Sequence, residues 1–389
     1  MVITFWLGLF IIFYTFIGYG IILYILIRIK RLLKAPNPAL SVTERPSCTL
    51  IIAAYNEESF IRDKILNTLA LEYDPRKLEI IIITDGSDDK TPEIVAEYPQ
   101  IKLMHDHPRR GKAAAMHRAI TNSSSEIITF SDANTYLNLT ALINIAKHYS
   151  DSDVGAVAGE KRIYVDELSD ANTAGEGFYW RYESALKKWD SELYSTVGAA
   201  GELFSVRREL YHEVPSDTVL DDFMISMQVA AMGYKIKYEP EAFALESASE
   251  NIAEELKRKT RIAAGGIQSI VRLAHLLNIF RYGVLSFQYI SHRVFRWTIT
   301  PFLLIIVLIL NIPLAINPIS PIYMFLLLGQ LTFYFLAILG WILEEKHLRI
   351  KILFIPYYFC VMNYAILVGI EKYFSGEQSS VWDKARRKT

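Results

Sequence analysis

The sequence predicts an α/β domain built on a mostly parallel sheet and carried between transmembrane helices. Three observations predict it. Long uncharged apolar runs lie toward both ends of the 389-residue chain. Between them, short β-branched runs alternate with segments of helical spacing. Three of those short runs end directly in acidic or amide residues.

The first apolar run, Val2 to Ile27, carries no charge. As a helix rising ~1.5 Å per residue it exceeds the ~30 Å hydrocarbon core of a bilayer. A cleaved signal peptide has its basic residues ahead of the apolar stretch. Here Arg28, Lys30, Arg31 and Lys34 follow it, so a retained anchor over residues 1–34 is expected. Trp297 to Leu343 is also uncharged, and Asn317-Pro318-Ile319-Ser320-Pro321 interrupts it, which predicts two spanning helices joined by a turn. Ile352 to Ile370 is a further run of spanning length. Residues 297–374 therefore read as transmembrane and 375–389 as a basic tail.

The basic cluster after the anchor, with Arg281, Arg293 and Arg296 before the second span, places residues 35–265 in the cytoplasm by the positive-inside rule. The expected location is the plasma (inner) membrane. Three C-terminal spans would put Lys384, Arg386, Arg387 and Lys388 on the opposite side, against that rule. Either the last run is re-entrant or interfacial, or the tail breaks the rule. Residues 266–296 mix apolar residues with Arg272, His275, Arg281, His292 and Arg293, and read as interfacial helices.

Within 35–265, Cys48 to Ala54 is a buried strand running into Tyr55-Asn56-Glu57-Glu58. Ser59 to Leu71 has helical spacing. Leu78 to Ile83 is a second strand, ending in Thr84-Asp85-Gly86-Ser87-Asp88-Asp89. Thr91 to Glu97 is helical, Ile101 to Met104 a third strand, and Ala113 to Ile120 a helix. Glu126 to Phe130 is a fourth strand, ending in Ser131-Asp132-Ala133-Asn134. This alternation predicts a parallel sheet covered on both faces, with ligands beyond the carboxyl ends of the strands.

A formal net charge of −1 and the lack of a long basic run in this block argue against nucleic-acid binding. Two cysteines, Cys48 and Cys360, argue against a disulfide framework or a cysteine metal site. His105 and His107 have no evident third ligand. No charged residue interrupts the apolar runs, which disfavours an ion-conducting protein.

Each polar motif has an ordinary reading on its own. Asp85-Gly86 suits a turn, Asn134 a helix N-cap, Lys112 a helix start, and Asp221-Asp222 the first turn of a helix from Phe223 to Met232. Arg109 and Arg110 read as solvated. Trp180, Tyr182 and Trp189 read as core aromatics or as a sugar-stacking platform.

Taken in order, Ala54-Tyr55-Asn56-Glu57-Glu58, Asp85-Gly86-Ser87-Asp88-Asp89, Gly111-Lys112, Asp132-Ala133-Asn134, Leu220-Asp221-Asp222 and Arg258-Lys259-Thr260-Arg261 resemble one family. It is the inverting family 2 glycosyltransferases, which include cellulose, chitin, hyaluronan and poly-N-acetylglucosamine synthases. The resemblance implies a GT-A-like fold binding a nucleotide-diphosphate sugar, expected to be UDP-linked. It also implies a glycan or lipid-linked acceptor and Mg²⁺ or Mn²⁺. By it, Asp85 contacts the nucleoside, with Tyr55 and Glu57 sharing the pocket. Lys112, Asp221 and Arg258 lie along the donor. Asp132 and Asn134 hold the metal, whose preference for hard oxygen ligands they suit. Asp222 is the general base and Arg261 binds the diphosphate with its guanidinium fork. Asn134 stands where the family often has a second aspartate, and Ile262 where it has a tryptophan tied to polymer extension. The activities implied are a polysaccharide synthase or a single-addition transferase; an inactive membrane scaffold is the rival from another class.

Overall fold

The computed structural model describes residues 1–33, 44–164, 173–247, 252–317, 320–346 and 350–377. Residues 378–389 of the expected basic tail and residues 318–319 of the expected break lie outside them.

The chain opens with α1 (Val2–Phe13) and α2 (Tyr19–Leu33), joined through a π-turn over Tyr14–Gly18 into one helix. The domain follows as β1 (Cys48–Ala54), α3 (Ile61–Leu69), β2 (Leu78–Asp85), α4 (Thr91–Ala96), β3 (Lys102–Asp106), α5 (Lys112–Thr121), β4 (Ile127–Asp132) and β5 (Thr135–Leu137). It continues with α6 (Ala141–Ala146), β6 (Val154–Tyr164), α7 (Thr173–Leu193), β7 (Leu203–Arg207), α8 (Asp221–Ala231), β8 (Lys235–Ser247) and α9 (Ile252–Arg272). Short helices α10 (Ile279–Tyr282), α11 (Val284–Tyr289) and α12 (Phe295–Trp297) lead to α13 (Ile299–Ile316), α14 (Ile322–Glu345) and α15 (Lys351–Ser375). The α1–α2 helix, α13, α14 and α15 are each long and apolar enough to cross a membrane. The helix α9 runs through the boundary expected at residue 265.

The eight strands form one sheet in the order β3-β2-β1-β4-β7-β6-β8-β5. The β3-β2-β1-β4 half is parallel, as expected; β7 is antiparallel to both β4 and β6, which makes the whole sheet mixed. Side chains alternate across a strand. Ile51, Ile81, Ile83, Ile128 and Phe130 therefore face α5 and α8, while Leu50, Ile52, Ile80, Ile82 and Ile127 face α3 and α6. Burial on both faces stabilises the sheet by about 1.5–3 kcal/mol for each fully covered Ile or Leu. It also explains why these strands read as continuous apolar runs.

Register sets the rim. Ala54 pairs with Thr84 and Ala53 with Asp132, so Tyr55, Asp85 and Asp132 leave the sheet at one edge. This edge lies where the chain order turns from one side of β1 to the other, the usual ligand crevice of such sheets.

A buried polar cluster joins the domain to the N-terminal helix. The Tyr19 hydroxyl donates to Asp190. His292 places Nδ1 2.6 Å from Asp190 and Nε2 3.2 Å from Glu183. Arg293 and Arg296 each lie 2.8 Å from Glu183. These two arginines, expected as flanking charges at the membrane surface, are internal partners of α7. Tyr182 and Trp189 are likewise engaged: both pack against the N-terminal helix, and the Tyr182 hydroxyl donates to Phe16 O at 2.8 Å. They are packing residues rather than an open platform. The side chain of Trp180 lies outside the described residues.

Candidate active site

An open cleft at the rim gathers Tyr55, Glu57, Asp85, Lys112, Asp132 and Asn134. All six are donor-side or metal residues expected from the sequence.

One end of the cleft is built from two loops. Asp85 ends β2, and its carboxylate accepts from the backbone amides of Arg110 (3.0 Å) and Gly111 (2.7 Å). It thereby holds the loop that starts α5. Gly86 has φ +72, and an added Cβ would stand 2.8–3.0 Å from Arg109, so a side chain would be both strained and crowded. Arg109 is not solvated as expected. Its guanidinium lies 3.6 Å from the Tyr55 ring centroid, a cation–π stack across the mouth of the cleft. Arg110 does keep its side chain exposed. Asn56, at φ 52, bonds Asp88 through its side chain (2.6 Å), which ties the loops after β1 and β2 together.

The other end is charged. Lys112 opens α5 and its ammonium lies 2.7 Å from Asp132 Oδ1 and 4.0 Å from Asp221 Oδ2. Burial opposes this ammonium, but Asp132, Asp221 and Asp222 outweigh burial and hold its pKa above the usual lysine value. Asp221 and Asp222 occupy the first turn of α8, favourable for the helix dipole. Among the described residues, Asp221 Oδ2 is buried without a hydrogen-bond donor. The Asp222 carboxyl is pushed up to about 7, first by burial and then by Asp221, with Lys112 opposing. Gly201 sits between the two halves: a Cβ there would stand 3.3 Å from Asp222 Oδ2 and 3.4 Å from Lys112 Nζ. Arg261 on α9 senses Asp221, Asp132 and Asp222, while burial lowers its pKa.

Arg258 is not brought to the cleft. One helical turn from Glu255, it bonds that carboxylate at 3.1 Å and lies 3.7 Å from Glu246. Glu246 and Glu202 share Lys161, so Arg258 belongs to a charge network of Glu255, Glu246, Lys161 and Glu202.

Asp132-Ala133-Asn134 forms the connection from β4 to β5, not a helix N-terminus; the next helix, α6, begins only after Thr140. Beneath this connection sits Lys64, which sequence reasoning missed. It is fully buried and donates to Ser131 Oγ (2.7 Å) and Thr135 O (2.8 Å). Burial brings its pKa down to about 7, with Asp132 partly offsetting the drop. The signal was available: Lys64 lies on the apolar stripe of Ile61, Ile65 and Thr68.

The donor set fits a shared divalent cation. Asp132 and Asn134 offer hard oxygens to the cleft, and no cluster of three or more His, Cys, Asp or Glu ligands occurs among the described residues. A cation held here would need further oxygens, which a diphosphate supplies.

The mixed sheet, with Asp85 and Asp132 at its rim and Lys112 beside them, is GT-A-like. Residues 49–214 match the Glycosyl transferase family 2 domain, and the chain carries a domain of that family. Among curated proteins it is similar to the poly-β-1,6-N-acetyl-D-glucosamine synthase of Staphylococcus aureus (strain COL), 31% identical over 251 residues, or 61% of this chain and 58% of that one. The synthase of the same description from Staphylococcus epidermidis is 29% identical over 234 residues, covering 58% and 55%. The chain thus spans under two thirds of these relatives. Among solved structures, a mannosyltransferase from Pyrobaculum calidifontis in complex with GDP-Man and Mn²⁺ shares the fold, with a TM-score of 0.71 at 22% identity over 96% of this chain and 99% of that one.

Proposed function

We propose that this protein is a membrane-bound inverting glycosyltransferase. It moves a hexose or N-acetylhexosamine from a nucleotide-diphosphate sugar, expected to be UDP-linked, to a glycan acceptor. The observation that carries the reading is the half-buried Asp222 carboxylate set across Gly201 from the Lys112 ammonium, with its pKa pushed up to about 7 by desolvation and by Asp221. A base and a leaving-group cation thus flank one gap.

In the reaction, Asp222 takes the proton of an acceptor hydroxyl. The freed oxygen pair forms the new bond to the anomeric carbon as the bond to the diphosphate oxygen breaks on the opposite face. A base with pKa near the working pH suits this transfer. Lys112 and Arg261 stabilise the departing diphosphate, and preorganised charges of this kind supply a large part of such catalysis. Asp85 and Tyr55 orient the nucleoside. Asp132 and Asn134 would hold Mg²⁺ or Mn²⁺, which supplies Lewis-acid stabilisation of the diphosphate.

The similarity to poly-β-1,6-N-acetyl-D-glucosamine synthases supports a polysaccharide synthase. The packing of Tyr182 and Trp189 against the membrane helix favours the second version, single addition to a lipid-linked or envelope glycan, since neither is open to a growing polymer. The domain is placed on the cytoplasmic face of the plasma membrane. Lys30 and Arg31, beside Glu192 at the end of α2, support that side.

The test is a donor screen with purified full-length protein in detergent. Nucleotide release is measured across a panel of nucleotide sugars with Mg²⁺, Mn²⁺ or chelator. Metal-dependent release from a UDP-sugar is expected; no release from any donor refutes the reading. Long product ladders would exclude single addition.

A further inference from the structure

We infer that the last apolar helix, α15, does not cross the bilayer. It lies in the interface on the catalytic domain's face, as a floor beneath α9, and returns the chain to the domain's side.

Depth can be read from contacts between the helices. At the far end, Phe5 of α1 meets Tyr323 at the start of α14, with ring centroids 5.6 Å apart, and Trp6 Nε1 donates to the Tyr323 hydroxyl at 3.1 Å. At the near end, the Thr15 hydroxyl lies 3.2 Å from that of Thr300, at the start of α13. From Thr300 to Ile316, α13 descends about 24 Å by helical rise. From Tyr323 to Glu345, α14 climbs back about 33 Å, enough to recross a ~30 Å core. So α15 starts on the near side. Its first turns confirm the level: a Cβ on Gly340 of α14 would stand 2.5 Å from Leu353 O and 2.9 Å from Tyr357 Cβ.

A crossing helix would carry Gly369 about 27 Å from Lys351, down to the level of Phe5. Instead Gly369 packs against α9. A Cβ there would stand 2.6 Å from Ala263 Cβ, 2.8 Å from Ala264 N and 2.9 Å from Thr260 O. The helix α9 belongs to the catalytic domain: Gln268 bonds Val219 N (3.0 Å) and Asp217 O (2.9 Å). Midway along α15, Phe359 meets Phe16 at 4.9 Å, and Phe16 O accepts from Tyr182 of the domain. Phe359 also meets Phe333 of α14 at 5.6 Å, so the middle of α15 lies against the crossing helices, while its start and its end both lie on the domain's side.

The occupant of its open face is the lipid boundary. Phe354, Tyr358, Ala365 and Ile366 are buried against protein, whereas Ile352, Ile355, Tyr364 and Phe374 are exposed. An apolar face continuous with the exposed apolar sides of α13 and α14 suits the boundary between headgroups and acyl chains. Three crossings then replace four. The described residues then end at 377 on the domain's side, the side on which the positive-inside rule favours the basic sequence that follows. The bilayer also reaches to within one helix of Arg261.

Single-cysteine reporters test this without reference to transfer activity. In full-length protein with Cys48→Ala and Cys360→Ala, Glu93→Cys marks the domain's side and Asn317→Cys the far turn; Ser375→Cys, exposed at the end of α15, is the probe. Vesicles of each orientation are treated with a membrane-impermeant maleimide. Labelling of Ser375→Cys together with Glu93→Cys is expected; labelling together with Asn317→Cys overturns the inference. If the two markers fail to separate, the membrane reading itself falls. A protease-cleavable tag after Thr389 repeats the readout: cleavage from the Glu93 face supports the placement, and cleavage from the Asn317 face refutes it.

Discussion

Replacing Asp221 with asparagine removes a charge beside Asp222, the proposed general base, while keeping the side chain's shape. Asp222 is raised to about 7 by burial, then by Asp221, with Lys112 opposing. Two unit charges about 6 Å apart at an effective dielectric of ~20 interact by about 2.8 kcal/mol, or about 2 pH units. The nearby Lys112 ammonium screens part of this, which leaves a shift of about 1 unit. The sign follows from the chemistry: the base acts when deprotonated, so the wild-type acid limb lies near pH 7. Lowering the pKa extends activity to lower pH. The assay is log(kcat/KM) for nucleotide release from pH 5 to 9 at saturating metal, which reports groups of the free enzyme. The acid limb in Asp221→Asn is expected about 1 unit below wild type. A limb that stays put, or moves up, refutes Asp222 as the titrating base.

Other outcomes follow from the same geometry. Asp222→Asn should lower transfer by about 10²–10⁴-fold with donor binding and folding kept, measured by single turnover and nucleotide titration. Asp85→Ala strands the Arg110 and Gly111 amides; a loss of about 1–3 kcal/mol would raise the donor KM by roughly 5–150-fold with a smaller effect on kcat. Gly198→Ala would combine φ +79 with a Cβ 2.2 Å from the Phe223 ring, and should destabilise the fold by about 2–4 kcal/mol in denaturant titration. Lys64→Met loosens the turn that carries Asp132 and Asn134; metal affinity in the presence of nucleoside diphosphate should fall about tenfold, with nucleotide affinity in chelator unchanged.

Much of this architecture was legible in the chain. The strands over Cys48, Leu78 and Ile127 begin within a residue of where their apolar runs start, because burial on both faces writes a continuous apolar signal. The rim residues Tyr55, Asp85 and Asp132 were legible for the same reason, since each directly follows or ends such a run. Other features were silent. Asp132-Ala133-Asn134 looks like an N-cap locally, and only the pairing of β5 with β8 makes it a strand connection. Arg109 looks solvated until Tyr55, far back in sequence, comes under its guanidinium. Arg258 looks like part of a phosphate motif until Glu255 and Glu246 claim it.

The sequence by itself determined the segments: which would be apolar helices, which buried strands, and which acids would stand at their ends. Hydrophobic period and turn chemistry are local properties, readable a few residues at a time. Only the tertiary structure decided which partners the charges take and what the last helix packs against. Lys64 under Ser131, His292 between Asp190 and Glu183, and Gly369 against Thr260 are contacts across long stretches of chain. An ionisable side chain's role depends on its burial and on its neighbours, and neither is written in its own segment.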